Sequence, residues 1–303
     1  MPQLIKKNPK KFDATSLLFL GIIAFLALIT AVLIVSRSKD IPDLKFQALR
    51  MASFSPPSGI TSYTRKNIQT KRGSFNIDLA VIDLGKNKID MLTETAAGGD
   101  CWNNCPARSL RDYININHGF AGMHGAYFCP PDYASCKGKI NYYFYPFYNT
   151  RGKFLMNSGQ IKWLQGSILV FDQNYNHYYF VDGREFKGLT EFQNKYSVKA
   201  QALLSNSPTL IFQGKNIVAT QKMDDKQRNT KGYRGAIGVK DKIVSLVIAR
   251  GATVPDMASV MEALGVTTAL NLDGGGSSAL YWNGAYKVGP GRLLPTAIIL
   301  KAR

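Results

Sequence analysis

The sequence TTALNLDGGGSSALYW, residues 267–282, passes from an apolar segment through one aspartate, three glycines and two serines and then becomes apolar again. The apolar part predicts a strand over residues 267–273 that places Asp273 at the end of a sheet. Glycine loses more conformational freedom on ordering than any other residue, so three in succession indicate more than an ordinary turn. Backbone N–H groups and serine hydroxyls in such a turn can bind a phosphoryl or sugar group. The candidate binding residues here are Gly274, Gly275, Gly276, Ser277 and Ser278.

A plain Asp-Gly turn between two strands, without any ligand, is the alternative interpretation of this segment. The residues before it predict a helix over residues 253–265, because Thr253 can cap its start, Pro255 suits its first turn and Gly265 can end it. The apolar stripe of this helix comprises Met257, Val260, Met261 and Leu264. A second helix is predicted to begin at Ser109.

Most of the remaining pattern predicts short strands. The predicted strands are residues 75–84, 88–94, 167–172, 177–182, 209–219, 235–250 and 267–273. Residues 170–181 and 237–248 pair β-branched or aromatic runs across polar turns, which is typical of antiparallel hairpins. The sequence therefore predicts an α+β fold, a single domain over residues 60–303 built largely of antiparallel sheet with a few packed helices.

An uncharged apolar segment of 21 residues, 15–35, is long enough to cross a bilayer as a helix. Four lysines precede it and only Arg37 and Lys39 follow closely, so the positive-inside rule places the N-terminus in the cytoplasm. We therefore expect a basic cytoplasmic tail (1–14), a transmembrane signal anchor (15–36), a juxtamembrane linker (37–59) and an extracytoplasmic domain at the cell membrane. A cleaved signal peptide is the alternative, although LIVSRSKD offers no clear small-x-small cleavage site.

Four cysteines occur as two close pairs, Cys101 with Cys105 and Cys129 with Cys136. An even number of cysteines in an exported chain predicts two local disulfides. A zinc site made of four thiolates is the alternative, but the spacings differ from the usual short zinc knuckles. No metal site and no cofactor are predicted.

The formal net charge is +18. The first 36 residues hold four lysines and one aspartate, so +15 of this charge lies beyond them. Such an excess favours an anionic ligand or an anionic surface, and a merely solvated basic face is the alternative. A nucleic-acid partner is not expected, because no lysine-arginine cluster with interleaved aromatic residues occurs after the N-terminal tail.

Several motifs together resemble the phosphodiester glycosidase family. They are NLDGGGSSAL (271–280), MEALG (261–265), YRGAIGVKDKIVSLVIARG (233–251), ALLSNSPTLIFQGK (202–215), HGAYF (124–128) and GPGRLLP (289–295). The resemblance covers roughly residues 75–303. It implies a hydrolase that cleaves a sugar C1–O–P linkage and releases a phosphate monoester.

The resemblance also implies roles for particular residues. Arg234 and Arg292 are expected to hold phosphate oxygens, because a guanidinium presents paired donors. Asp273 is expected to act on the positively charged sugar of the transition state as nucleophile, base or electrostatic stabiliser, while the second carboxylate of the usual scheme is not identified. Further residues expected to bind substrate are Asn206, Asn271, Tyr127 and Phe128.

His124 stands where the family commonly has asparagine. A histidine at this position is either a catalytic general acid or base, or a hydrogen-bonded residue that shapes the site. The predicted function is a membrane-anchored glycosidase acting on a sugar phosphodiester of envelope or extracellular glycans. The alternatives are a non-catalytic module that binds anionic glycan and a hydrolase of ordinary glycosidic bonds.

Overall fold

The structure is a computed structural model that describes residues 61–86 and 88–303. The strands in these ranges are β1 (Ser62–Thr70), β2 (Gly73–Asp83), β3 (Ile89–Thr95), β4 (Ala121–His124), β5 (Phe147–Asn149), β6 (Phe154–Met156), β7 (Ser167–Asp172), β8 (His177–Phe180), β9 (Ala200–Asn206), β10 (Thr209–Phe212), β11 (Lys215–Asn216), β12 (Gly232–Lys240), β13 (Ile243–Ala252), β14 (Thr268–Gly274), β15 (Leu280–Trp282), β16 (Ala285–Val288) and β17 (Thr296–Ala302). The α-helices are α1 (Leu110–Ile116), α2 (Leu189–Tyr196), α3 (Asp225–Asn229) and α4 (Val254–Ala263).

The strands form three sheets. A seven-stranded sheet has the order β1-β2-β13-β12-β14-β10-β11, and two five-stranded sheets have the orders β16-β15-β4-β17-β3 and β6-β5-β9-β7-β8. The pairings that build them are antiparallel. The predicted α+β fold of antiparallel sheet with few helices is thus confirmed. The predicted transmembrane helix (15–36) and linker (37–59) lie outside the described residues, within which no helix is long and apolar enough to cross a membrane.

The seven-stranded sheet separates two hydrophobic cores. Strand β13 shows the alternation expected of a strand buried on both faces, since Leu246 and Ile248 belong to one core and Val247 to the other. The first core also holds residues of both five-stranded sheets, such as Ile298. The second core is covered by α4, whose Met261 is fully buried there. This arrangement fixes β12 and β14 between two packed layers.

The two helix starts predicted from the sequence are confirmed. Thr253 caps α4, because its Oγ1 accepts a hydrogen bond from the Asp256 N–H (3.2 Å) while Asp256 Oδ2 accepts from the Thr253 N–H (2.9 Å). This reciprocal pair is a capping box, which satisfies two backbone donors at the helix start. Ser109 caps α1 by accepting from the Asp112 N–H at 3.1 Å.

Two predicted strands are interrupted in the structure. Residues 209–219 were predicted to be one strand, but β10 ends at Phe212 because Gln213 (φ 49°) and Gly214 (φ 75°) adopt left-handed backbone conformations. The segment 235–250 divides at Asp241 (φ 55°) into the two strands of the predicted hairpin. The turn after Asp273 is not a hairpin, because β14 lies in the seven-stranded sheet and β15 in a five-stranded one.

The two predicted disulfides are present. Cys101 is bonded to Cys105 and Cys129 is bonded to Cys136. Their sulfur atoms are therefore not the thiolates of a zinc site. The second disulfide closes a loop that contributes Pro130 and Tyr133 to the lining of a cavity beside β14.

Candidate active site

A cavity of about 510 Å³ opens at the end of β14, beside the turn formed by residues 274–278. This turn, called the glycine turn below, leads from the seven-stranded sheet into β15. Asp273, Arg234 and Arg292 line the cavity together, although they come from distant parts of the sequence. The described lining residues include four cationic side chains and two carboxylates, so the cavity carries a positive excess suited to an anion.

Asp273 is one of the two carboxylates that line this cavity. Its Oδ1 accepts a hydrogen bond from the Gly274 N–H at 2.7 Å. Burial raises the pKa of Asp273 to about 6, although this hydrogen bond, that of Ser277 and the two nearby guanidinium groups act in the opposite direction. A carboxyl group with such a pKa exchanges its proton close to neutral pH, as catalytic carboxyl groups often do.

Two of the glycines are favoured for different reasons, Gly275 by its backbone conformation and Gly276 by the side chain packed over it. Gly275 has φ of 58°, in the left-handed region that residues with a Cβ disfavour. Gly276 lies under Arg292, and a Cβ there would stand 2.8 Å from its Nη1. The glycines thus allow the guanidinium of Arg292 to approach the backbone, which an ordinary turn does not require.

Arg234 is buried in β12 and lines the cavity. Its Nη2 donates to the carbonyl oxygens of Thr230 (2.6 Å) and Lys226 (3.2 Å), while its Nε has no hydrogen-bond partner among the described residues. Within the same ranges no carboxylate forms a salt bridge with this guanidinium. The Asp273 carboxylate is close enough to interact with this charge but forms no salt bridge with it, so the position indicates an anion-binding group.

Arg292 is held differently. Its Nε and Nη2 donate to the two carboxylate oxygens of Asp132, at 2.9 and 2.5 Å, and its Nη1 donates to Ser277 Oγ at 3.3 Å. Asp132 belongs to the loop closed by Cys129 and Cys136, which is called the disulfide loop below. Arg292 therefore joins this loop to the glycine turn, and its two-pronged donor face is occupied by a carboxylate.

Comparison with known proteins identifies the family. The phosphodiester glycosidase family matches residues 136–301, which is more than half of the chain and includes Arg234, Asp273 and Arg292. This chain belongs to the phosphodiester glycosidase family. No curated protein matches its sequence.

Two solved structures share the fold. The catalytic domain of zebrafish N-acetylglucosamine-1-phosphodiester alpha-N-acetylglucosaminidase, auto-inhibited by its pro-peptide, is similar with a TM-score of 0.61 and 16% identity over 80% of this chain and 83% of that chain. A hypothetical protein from Synechocystis has a TM-score of 0.55 and 11% identity over 80% of this chain and 62% of that one. At these identities the likeness concerns the fold, and the phosphodiester glycosidase assignment comes from the family match.

His124, the residue that departs from the family's common asparagine, lies behind the glycine turn. Its Nδ1 accepts a hydrogen bond from the Ala279 N–H (3.1 Å), which leaves Nε2 to donate to the Asp273 carbonyl oxygen (2.7 Å). Burial lowers the pKa of His124, which disfavours the charged ring. It has no exposed surface and connects the two ends of the turn. This geometry favours the shaping role over the general acid or base role.

Gly235 in β12 faces the same imidazole. A Cβ at this position would overlap His124 Nε2 and stand 2.8 Å from the Asp273 carbonyl oxygen. The small residue after Arg234 therefore leaves the space that the histidine occupies. The sequence motif YRGAIG combines a pocket residue and a packing residue at successive positions.

Asn206 and Asn271 are also buried, behind the wall that Tyr127 forms. Asn206 Oδ1 accepts from the Tyr127 N–H (3.1 Å), and Asn271 Nδ2 donates to the Tyr127 hydroxyl oxygen (2.7 Å). Asn206 Nδ2 donates to the Asn271 carbonyl oxygen (2.9 Å). The two asparagines, predicted to bind substrate, are thus not among the residues that line the cavity, whereas Tyr127 and Phe128 do line it.

Some residues that line the cavity belong to none of the sequence motifs. The main ones are Tyr133, Tyr145, Lys222, Met223, Asp224 and Lys226. Tyr133 lies in the disulfide loop, and the segment 222–226 comprises a loop, the cap Asp224 and the first turn of α3, none of which shows a sequence motif. Gly276 and Ser278, predicted to bind substrate, border a different groove on the other side of the turn. In the part of the chain that the structure describes, no cluster of three metal-ligating residues occurs.

Proposed function

We propose that this chain is a membrane-anchored, extracytoplasmic glycosidase that hydrolyses the C1–O–P linkage of a sugar phosphodiester in envelope or extracellular glycans. The observation that carries the proposal is the buried Arg234, whose Nε has no hydrogen-bond partner among the described residues, beside the partly buried Asp273 in one cavity. A carbohydrate module that only bound anions would need the cation, but it would not need a carboxylate whose pKa is raised to about 6.

In the overall proposed reaction, the C1–O bond to phosphate breaks, the oxygen of a water molecule becomes bonded to the sugar C1, and one proton of that water passes to the phosphate or to solvent. The products are a free sugar and a phosphate monoester, whose negative charge is stabilised by guanidinium donors of Arg234. Asp273, ionised at neutral pH, stabilises the positive charge that develops at C1, as nucleophile, base or counter-charge. Tyr127 and Phe128 form an aromatic wall against which a sugar ring can pack.

Asp224 is the candidate for the second carboxylate. It is the other acidic residue among the described residues that line the cavity. Its Oδ1 accepts from the Gln227 N–H at 2.7 Å as the cap of α3, and the side chain is exposed. One oxygen therefore remains available for proton transfer to or from water.

The test uses the purified full chain with a sugar 1-phosphate diester carrying a small alcohol. We expect equal amounts of free reducing sugar and phosphate monoester, measured by chromatography, and their absence with Asp273→Asn. Tight binding of the diester without any turnover would favour the non-catalytic anionic-glycan module. Faster cleavage of a phosphate-free aryl glycoside than of the diester would favour an ordinary glycosidase.

A further inference from the structure

The glycine turn has a second cavity on its outer side. An open groove, called the basic groove below, is lined by Arg65, Tyr233, Arg250 and Lys287 together with Gly276 and Ser278. None of its described lining residues is acidic. The groove therefore presents three cationic side chains next to the candidate active site.

Successive residues of the chain face the two cavities. In β12, Tyr233 lines the basic groove and Arg234 lines the active-site cavity, which is the alternation expected along a strand. In the turn, Ser277 faces the cavity and Ser278 the groove, while the exposed Gly275 borders both. A chain-like ligand that passes over Gly275 can thus occupy both sites at once.

The positive charge of the basic groove is only partly compensated. Arg65 Nε donates to Asp78 Oδ1 at 2.9 Å, and Arg250 Nη2 donates to Asp78 Oδ2 at 2.7 Å, so one buried carboxylate is shared by two guanidinium groups. Lys287 adds a third cation, whose Nζ lies 5.3 Å from the ring centroid of Tyr63. Fixed cations in excess over carboxylates bind phosphate groups through charge-assisted hydrogen bonds.

Ser278 places an unsatisfied polar group beside the basic groove. The residue borders the groove and is only 4% exposed, yet its hydroxyl has no hydrogen-bond partner among the described residues. Buried hydroxyl groups without partners are uncommon in folded proteins. The Ser278 hydroxyl oxygen is closed to solvent, so the groups that a phosphate in the groove would contact are the side chains of Arg65, Arg250 and Lys287.

We propose that the basic groove binds a second phosphate of a polymeric substrate, so that the natural substrate is a glycan-phosphate polymer with repeated phosphodiesters rather than a single diester. This inference rests on the proposed function for the location of the first phosphate at Arg234. The polymer would place one phosphodiester at Asp273 and its neighbour against Arg65, Arg250 and Lys287. Simultaneous occupation of two linked sites raises affinity without any change at the reaction centre.

The test compares two ligands that cannot be hydrolysed as glycosides, namely glycerol phosphate fragments with one and with two phosphodiester groups. Binding to the full chain is measured by calorimetry at fixed ionic strength. We expect the fragment with two phosphates to bind about tenfold more tightly. Lys287→Glu should remove this gain, and the milder Lys287→Gln should reduce it, while binding of the one-phosphate fragment stays unchanged.

The matched control is Lys195→Glu, a charge reversal on α2 that lies outside both cavities. Equal binding of the two fragments, or an equal loss of affinity in Lys195→Glu, would overturn the proposal. A second arm uses vesicles with and without anionic phospholipid. If Lys287→Glu weakens vesicle binding while the two-phosphate gain persists, the groove contacts a membrane surface and the polymer proposal is wrong. If the higher affinity of the two-phosphate fragment depends on Lys287 but no sugar phosphodiester is hydrolysed, the proposed hydrolase activity is wrong while the proposed phosphate binding by the groove is supported.

Discussion

At the scale of single residues, Arg234 and Asp273 lie in one cavity with different environments. Arg234 is a buried cation with an unpaired Nε, whereas Asp273 is a carboxyl group whose pKa burial has raised. Within the described residues no salt bridge joins them. Each is therefore free to interact with a different part of a substrate, the phosphate in one case and the sugar in the other.

This division can be measured with two substitutions. Asp273→Asn keeps the size of the side chain and removes its charge, so we expect kcat to fall about 100- to 1,000-fold or more while substrate binding persists. Arg234→Lys should raise KM as well as lower kcat, because an ammonium cannot reproduce the paired donors of a guanidinium. On a phosphate-free substrate the Arg234→Lys loss should shrink and the Asp273→Asn loss should not. Equal losses for both variants on both substrates would contradict the assignment.

The raised pKa of Asp273 also predicts how stability depends on pH. The folded state binds this proton more tightly than the unfolded chain, whose ordinary value is 3.8, so the contribution of Asp273 to stability declines as pH rises from about 4 to about 6. Asp273→Asn should therefore increase the free energy of unfolding above pH 6. A shift of this size corresponds to about 3 kcal/mol, reduced to about 1–2 kcal/mol by the partial exposure of the group.

The measurement is thermal or urea unfolding of wild type and Asp273→Asn at pH 4 and pH 7.5. The difference should vanish at pH 4, where the wild-type carboxyl group is protonated. Asp182 provides the control of opposite sign, because its hydrogen bond with Arg184 lowers its pKa. Asp182→Asn should therefore give no stabilisation at pH 7.5. A wild type more stable than Asp273→Asn at pH 7.5 would show that the ionised carboxylate stabilises the fold.

At the scale of elements, the disulfide loop provides a carboxylate that competes for Arg292. Asp132 accepts two hydrogen bonds from this guanidinium, and the pKa of Asp132 is lowered by them. Tyr133 of the same loop lies under Arg292, with 5.2 Å from the guanidinium carbon to its ring centroid, and its hydroxyl oxygen accepts from Lys226 Nζ at 2.7 Å. The disulfide loop thus forms direct contacts with two cationic side chains, Arg292 and Lys226, that line the cavity.

If Arg292 also binds the substrate phosphate, removing this competitor should improve binding. We expect Asp132→Asn to lower KM for a sugar phosphodiester about two- to fivefold and to leave kcat nearly unchanged, in line with the small strength of exposed ion pairs. The control is Asp182→Asn, which breaks a similar two-pronged pair with Arg184 outside the cavity. A higher KM for Asp132→Asn would mean that Asp132 orients Arg292 for the phosphate instead of competing with it.

The elements also show what sequence patterns can predict. Helix caps and strand patterns depend on residues that are close in sequence. The sequence therefore located α4 from its cap Thr253, α1 from its cap Ser109, and β14 from the apolar pattern before Asp273. The sheet that each strand joins depends on contacts distant in sequence. For this reason the pattern did not show that β14 and β15 lie in different sheets, nor that Asn206 and Asn271 lie behind the Tyr127 wall.

At the scale of the whole molecule, the sheets bring together chain segments that are 213 residues apart in sequence, as the pairing of Ile89 in β3 with Ala302 in β17 shows. The motif residues could be predicted because each motif is recognised from a few consecutive residues of the sequence. The role of His124 could not be decided from the sequence, since it depends on Ala279 and the Asp273 carbonyl oxygen approaching both ring nitrogens. The basic groove likewise arises from β1, β13 and β16 meeting beside the glycine turn.

The location of the molecule is predicted by residues 15–36 and the lysines before them. We expect the full chain to sediment with the membrane fraction and to resist extraction by high salt or carbonate, because an uncharged segment of 21 residues inserts through apolar burial rather than through charge. Protease added outside intact cells should digest the residues beyond Arg37 and leave the basic tail intact.

A soluble chain whose first residue lies near position 37 would demonstrate a cleaved signal peptide. Release by high salt alone would mean that the basic surface of the protein, rather than a transmembrane helix, holds it on an anionic envelope. A membrane anchor would also limit the distance between the candidate active site and polymers at the membrane to the length of the linker. Deleting residues 1–36 should therefore lower activity on envelope polymer more than activity on a small soluble diester.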